Sequence, residues 1–408
     1  MSKRILMIAD AGSFWTKRYI ENLLLPNGWQ VVLFPIWEAE SQFDSFFREN
    51  GVTVYHDRYT LPVIRHIPRL RMWARVAANA RALKALGPFD VIHNHYLSQR
   101  DLALGSAVHR AFPEADWVCS FWGSDLLRST GLELKRMKPY LDQCDHITVH
   151  SALHVQRVRE VFGEAAAAKT ALVYFGQTVF ADIDRVRAVA DKAACKAHFG
   201  LPADKPVICL GYNASPTHRH LQLLKGLQTL PAETLAGWSL VLQMTYGSDD
   251  DSYFATVRDA ANALPCHTLV LTEFMDGTES AYLRLAADTF VLAIPTDAFS
   301  ASLQEYLYAG AQVLRASWLR YPQLEELEIE TTEFTDLSQV PALLAQELTH
   351  SLTPEDKEKR ALLGQKYSWP SVSGAWLQLY EKGVKSFGVV DDGGYCPGDR
   401  SGRDNRMN

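Results

Sequence analysis

Asp297 and Glu305 stand eight residues apart in the stretch TDAFSASLQEYLYAGAQVL, residues 296–314. The stretch follows the apolar run TFVLAIP and leads into AQVLRA, so it reads strand, loop, helix, strand. Ser300 or Ser302 is suited to cap the helix, and Gly310 to end it. The N–H groups and positive dipole end exposed at a helix start favour a phosphate, so the loop offers a diphosphate site. Helical periodicity alone does not put the two acids on one face. A loop that folds the first acid back would set both carboxylates around one polyol, each oxygen accepting a hydrogen bond from a hydroxyl. The plainer alternative makes one acid a helix-start charge and the other a solvated surface residue.

A second constellation lies in the first half of the chain. His93 and His95 alternate in DVIHNHY, so both leave a strand on the same side near its carboxyl end. Together with Asn94 and Tyr96 they make a candidate site, although a single histidine in such a place is commonly structural. Two histidines without a nearby third ligand do not compose a zinc site, and no metal site is assigned. Asp125, behind Gly123 in SFWGSD, falls at the next strand end, where it would meet an acceptor hydroxyl or cap a helix. Gly12, in ADAGSFW, marks the first strand-to-helix turn, where a small residue permits close backbone approach. The two further glycines of a dinucleotide fingerprint are absent, which argues against an NAD-dependent oxidoreductase, and neither a G-x-S-x-G elbow nor a Walker loop is present.

The elements that would carry these residues follow from the alternation of short apolar runs with helical stretches, the pattern of a parallel sheet covered on both faces. Predicted strands are RILMIA, QVVLFP, VTVYH, DVIHNH, DWVCSF, HITVHS and TALVYF, with helices over 17–25, 69–86, 98–111 and 152–162 between them. The alternation restarts after a charged, alanine-rich stretch, with strands at PVICLGY, SLVLQMTY, HTLVLTEF, TFVLAIP and AQVLRA. A chain of 408 residues suits two domains. The expected division is a Rossmann-like domain over 1–178, a linker over 179–205, a second Rossmann-like domain over 206–365, a helix over 366–388 and a disordered polar tail over 389–408. Ligands of such sheets bind at the carboxyl ends of the strands, so the fold class expected is α/β with two Rossmann-like domains facing across a cleft.

Composition bounds the rest. Hydrophobic residues make up 47% and charged residues 22%, and no apolar run is long enough to span a bilayer. The opening MSKRILMIAD lacks the apolar length of a signal peptide, so a cytoplasmic location is expected. Cys119, Cys144, Cys195, Cys209, Cys266 and Cys396 show no CxxC pair, which fits reduced structural thiols. A net charge of −6 argues against general nucleic-acid binding. From 59 to 89, however, there is no Asp or Glu, while Arg65, Arg69, Arg71, Arg75, Arg81 and Lys84 punctuate an apolar stretch. That local basic surface is either a solvated helix face or a contact for an anionic membrane or acidic acceptor, which would place the protein peripherally at the inner face of the plasma membrane.

TDAFSASLQEYLYAGAQVL resembles the donor motif of the large retaining GT-B glycosyltransferase family that contains bacterial mannosyl- and glucosyltransferases: acid, seven residues, acid, then small residues ending in Gly. DVIHNHY, SFWGSD, QCDHITVHSALHVQRV, ALVYFGQT and YSWPSVSGAWLQLYE resemble further parts of that family, with Trp122 where its histidine usually sits and Asp297 in place of its usual glutamate. LGYNASPTHRH, LQMTYGSDDDSY and LTEFMDGTESAYLRLAADTF resemble the acetamido-fucosyl transferases of enterobacterial common antigen synthesis, also GT-B enzymes. The resemblance implies a glycosyltransferase, hexosyl or deoxyhexosyl, of polysaccharide biosynthesis. It would move sugar from a nucleotide-sugar co-substrate to a glycan or lipid-linked acceptor, with retention; the fixed N–H groups of the helix start can meet the departing diphosphate without a metal, and no other cofactor is expected. Its C-terminal helix would cross back to the first domain. Catalytic roles would fall to Asp297, His95 and Asp125. Asp297 would hold sugar hydroxyls, Glu305 the ribose, and the backbone of Ser300, Ala301 and Ser302 the diphosphate. Phe299, Asn213, Ser215, His218, Arg219, Tyr246, Glu273, Phe274, Met275 and Gly12 would complete the donor site. Tyr212 occupies the place of the family's diphosphate-binding Arg, leaving Arg219, His218 or Lys225 as substitutes. A sugar-nucleotide epimerase is the rival enzyme, separable because it would interconvert sugars with no acceptor. A non-catalytic nucleotide-sugar binding module of an assembly complex would bind without turnover.

Overall fold

The computed structural model describes residues 3–36, 41–55, 68–248, 250–347, 352–384, 387–389 and 395–396. The chain divides into two compact units, one of Met1–Gly176 with Trp369–Asn408, the other of Gln177–Ser368.

In the first unit seven parallel strands form a sheet: β1 (Arg4–Ala9), β2 (Gln30–Pro35), β3 (Thr53–Val54), β4 (Val91–His95), β5 (Asp116–Ser120), β6 (His146–Val149) and β7 (Thr170–Leu172). Their spatial order is 3-2-1-4-5-6-7, so the sheet reverses direction between β1 and β4. Ile5, Leu6, Met7 and Ile8 of β1 are fully buried, the mark of a strand covered on both faces. The helix Trp369–Lys382 presents Trp369, Val372, Trp376, Leu379 and Tyr380 on one side, where they join Tyr19, Ile20, Leu23 and Leu24 in one apolar cluster. Trp376 also donates from Nε1 to the Tyr174 carbonyl at 2.9 Å. Each such large buried side chain contributes about 1.5–3 kcal/mol of apolar burial, enough to fix the returning segment in this unit. Two short strands, Gly388–Val389 and Tyr395–Cys396, pair antiparallel, and Tyr395 pairs with Ala171 of β7. The remainder of the predicted tail lies outside the described residues, as do Arg65, Ile64 and Ile67 of the basic stretch.

The second unit holds β8 (Val207–Leu210), β9 (Ser239–Gln243), β10 (His267–Leu271), β11 (Thr289–Leu292), β12 (Gln312–Ala316) and β13 (Thr332–Phe334), all parallel. The order β10-β9-β8-β11-β12-β13 repeats the pattern of the first sheet, with its reversal between β8 and β11. Residues 179–205, which the sequence presents as a linker, carry the helices Val179–Arg187 and Lys192–His198. Ile183, Val186 and Cys195 are buried in one cluster with Ala281 and Ala286 of the helix Gly277–Ala286. An apolar stripe therefore underlies the charged composition, and both helices belong to this unit. No described helix is long and apolar enough to cross a membrane.

Candidate functional site

At the reversal between β8 and β11 in the second unit, the loops leaving the two strands diverge. Such a crevice is where open α/β sheets take their ligands. The loop after β11 carries Asp297, whose Oδ2 accepts from the Ser300 N–H at 2.7 Å and from the Tyr321 hydroxyl at 2.7 Å. Tyr321 is buried, and that burial, with the Asp297 charge beside it, holds its hydroxyl well above the usual tyrosine range, so it remains a donor. The loop thus folds the first acid back onto the helix start.

The helix Ala301–Ala309 begins at Ser300, whose Oγ accepts from the Leu303 N–H, and ends at Gly310 in a left-handed conformation. Gln304 donates from its N–H to the Ser300 carbonyl. Among the described residues no capping bond takes the N–H groups of Ala301 and Ser302, which suits them to an anion. Phe299 packs under the loop, its ring 5.8 Å from Tyr321 and 5.2 Å from Tyr367.

Glu305 lies in the interior, 4% exposed, which excludes the solvated-surface alternative for this acid. Its Oε2 accepts from Nε of Arg284 at 3.1 Å. Arg284, 2% exposed on the helix Gly277–Ala286, also donates to Gln243 Oε1 at 2.9 Å, to the Tyr306 hydroxyl at 3.0 Å and to Ser302 Oγ at 3.4 Å. Arg284 therefore ties the second acid to the same helix start that carries Ser302. Sequence reading misses it, although an arginine inside the apolar run AYLRLAA is itself a sign of a buried charge seeking a partner.

The loop after β8 supplies Asn213, Ser215, His218 and Arg219. Asn213 Oδ1 accepts from the Ser215 N–H at 2.8 Å, and the Ala214 N–H donates to the carbonyl of Tyr246, which stands half exposed beyond β9. His218 is buried against the Tyr212 ring at 4.3 Å. Arg219 takes a left-handed conformation and sets its guanidinium over the Trp318 ring at 5.0 Å. Trp318 in turn donates from Nε1 to the Ile294 carbonyl at 2.9 Å, on the approach to Asp297. Trp318 thus links Arg219 to the end of the strand that leads to Asp297, and Trp318 and Tyr321 are two further residues absent from the sequence reading. Lys225 is exposed on the helix His220–Leu227. Glu273 and Phe274 are exposed and Met275 half-buried in the segment after β10.

In the first unit His93 and His95 do point the same way, their rings 4.8 Å apart at the end of β4. His93 is held on both sides: Nδ1 is hydrogen-bonded to the Tyr380 hydroxyl at 2.8 Å and Nε2 to Ser120 Oγ at 2.6 Å. The bonds continue from Tyr380 to Tyr19 and from Ser120 to Thr148. His95 is enclosed by Tyr19, Trp122 and Phe175 at ring distances of 4.6, 4.5 and 5.2 Å, and neither of its ring nitrogens has a hydrogen-bond partner among the described residues. Burial lowers His93 to about 3 and drives His95 well below the ordinary histidine range, so both are neutral. Asp125 is fully engaged: Oδ1 accepts from the N–H groups of Trp122 at 2.9 Å and Gly123 at 3.0 Å, and Oδ2 from Leu97 at 2.9 Å. Burial pushes it up to about 7 against those three bonds. Asp125 sits inside the helix Ser124–Leu127, whose N-cap Gly123 makes no side-chain cap bond, and it serves as a brace between the loops after β4 and β5. Gly12 is exposed in its turn, its N–H donating to Asp10 Oδ1 at 2.9 Å.

No protein-family model matches the chain, and no curated protein matches its sequence. Solved structures do match. A glycosyltransferase from Rickettsia africae is 12% identical with a TM-score of 0.72, over 94% of this chain and 99% of that one. Sucrose-phosphate synthase from Thermosynechococcus elongatus is 16% identical with a TM-score of 0.69, over 93% and 98%. HepE of Anabaena, solved in complex with UDP and glucose, is 13% identical with a TM-score of 0.64, over 92% and 98%. At these identities the likeness is one of fold, and the chain has the GT-B fold.

Proposed function

We propose that this GT-B chain is a glycosyltransferase that takes its nucleotide-sugar donor on the second unit. The observation that carries the reading is the loop after β11, where Asp297 is turned back beside the open N–H groups of Ala301 and Ser302 while Glu305 is held by Arg284 one turn further on. In this reading the helix start binds the diphosphate, Glu305 the ribose through Oε1, and Asp297 the sugar hydroxyls. Asn213, Ser215, His218 and Arg219 line the opposite loop, with Tyr246, Glu273, Phe274 and Met275 at its margin. His95, buried in its aromatic cage with two ring nitrogens that have no partner among the described residues, is the candidate catalytic group of the first unit, and Asp125 acts through the loops it braces. The two resemblances support a hexosyl or deoxyhexosyl donor, and the resemblance of the β11 loop to the retaining family supports retention of configuration. HepE, a structural neighbour, binds UDP, which makes UDP the first nucleotide to test, followed by GDP and TDP.

Charge developing on the departing diphosphate would be met by the fixed N–H groups of the helix start, aided by Arg219. Turnover should therefore persist after exhaustive chelation. Activity that chelation abolishes and only manganese or magnesium restores would refute that step.

Calorimetry on two variants tests the donor site. A charge-assisted hydrogen bond contributes about 1.5–3 kcal/mol, so Glu305→Gln should weaken binding of the bare nucleoside diphosphate roughly 10- to 100-fold. Asp297→Asn should spare that ligand and impair the sugar nucleotide, since only the sugar reaches it. Unchanged affinities and turnover in both would remove the assignment.

A further inference from the structure

The helix Pro68–Lys84 is 17 residues long, about 25 Å at the usual rise. One side is committed to the first unit's interior, where Val76, Asn79, Ala80 and Leu83 are buried and the helix Gln99–His109 packs against it. Beside it runs an exposed stripe, Leu70, Trp73, Ala77, Arg81 and Lys84, at successive spacings of three, four, four and three residues, with Arg71 exposed next to it. All five are exposed, and Leu70 and Trp73 are among the most exposed large apolar side chains described, at 55% and 45%. The stripe is apolar at the helix start and cationic at its end. Among the described residues Arg81 and Lys84 form no ion pair, and no acid occurs from 59 to 89 in a chain of net charge −6.

We infer that this face of the helix Pro68–Lys84 docks the protein on an anionic lipid bilayer, with the helix lying in the plane of the headgroups. Leu70 and Trp73 enter the boundary between headgroups and acyl chains, the depth that an indole with one polar edge favours. Arg81 and Lys84 meet lipid phosphates, and the absence of any acid along the stripe removes the repulsion that a mixed protein interface would tolerate. The inference deepens the proposed transfer, and rests on it only in making the acceptor lipid-linked; the docking itself needs no turnover.

Co-sedimentation with vesicles of phosphatidylcholine alone, or of phosphatidylcholine mixed with phosphatidylglycerol, tests it. The wild type should pellet with the mixed vesicles and stay in solution with the neutral ones, and added salt should release it. Each cation near the surface changes partition about fivefold, so Arg81→Gln with Lys84→Gln should weaken binding roughly 25-fold, and Leu70→Ser with Trp73→Ser should release the protein too. Equal partition of the wild type to both vesicles, or unchanged binding by the charge variant, overturns the inference. So does self-association in sedimentation velocity that the apolar variant abolishes, because the face would then belong to a second copy. Nucleotide affinity measured on the same variants keeps the two readings apart. Lost vesicle binding in the wild type with nucleotide affinity intact removes the docking surface alone, and the reverse pattern removes the transferase reading alone.

Discussion

Arg284→Met should lower the stability of the second unit by about 3–5 kcal/mol, the usual cost of leaving one member of a buried ion pair alone. The guanidinium is the hub of the unit's interior at the carboxyl end of β9. It bonds Glu305, Gln243 and Tyr306, and lies 4.3 Å from the Tyr306 ring, which stacks on Phe290 at 4.2 Å. Methionine fills much of the volume but leaves the Glu305 carboxylate buried without its counter-charge. The double variant Arg284→Met with Glu305→Leu should recover most of the loss, because an apolar pair of similar volume needs no desolvated charge. Urea unfolding of the two single variants and the double gives the coupling directly. The double variant should nevertheless bind nucleotide no better than Glu305→Gln, which separates the acid's role in the fold from its role at the ligand. An Arg284→Met variant within about 0.5 kcal/mol of wild type, the range of an ordinary surface change, would show that the ion pair supports nothing.

That pair marks the boundary of what the sequence discloses. The strands around it were legible because each is a short, β-branched run buried on both faces, as in VICL of β8 or TFVL of β11, and runs of that kind repeat with helices between them. The acids of the β11 loop were legible by type and spacing. What periodicity does not carry is which atom meets which. Arg284 and Glu305 are 21 positions apart on different helices, and Tyr321 reaches Asp297 from beyond the next strand. The Tyr380 bond to His93 spans 287 positions, so no local window contains it. Residues 179–205 hide for another reason: Ile183, Val186 and Cys195 are few among charged neighbours, and their common face shows only once the helix Gly277–Ala286 lies against it. Composition reports solvent exposure averaged over a segment, whereas a docked helix needs only one apolar stripe.

The first unit should be acid-labile, losing on the order of 4 kcal/mol of stability per pH unit near pH 5.5. Burial lowers His93 and His150 to about 3 and His154 to about 4, and drives His95 well below the ordinary range. In the unfolded chain each titrates near 6.5. A histidine whose folded value is depressed contributes stability that is complete above about 6.5 and is lost as the pH falls toward the folded value, because only the unfolded state takes the proton. Asp125 works in the opposite sense: raised to about 7 by burial, it keeps a proton in the folded state that the unfolded carboxyl has released. It offsets about one of the four histidines, leaving about three protons taken up on unfolding, at roughly 1.4 kcal/mol per pH unit each. Asp10 and Asp101, also raised by burial, add to the offset further down, so the slope is steepest above the carboxylate range. A domain of ordinary stability, about 5–15 kcal/mol, would lose most of it by about pH 4.5. Urea midpoints followed by tryptophan fluorescence at about pH 7.5, 6.5 and 5.5 measure the slope, and equal midpoints would mean that these rings are not held neutral. His95→Phe isolates one contributor. Phenylalanine suits the cage of Tyr19, Trp122 and Phe175 and removes two ring nitrogens that have no partner, so the variant should match or exceed wild-type stability at neutral pH while its acid slope drops by about one proton.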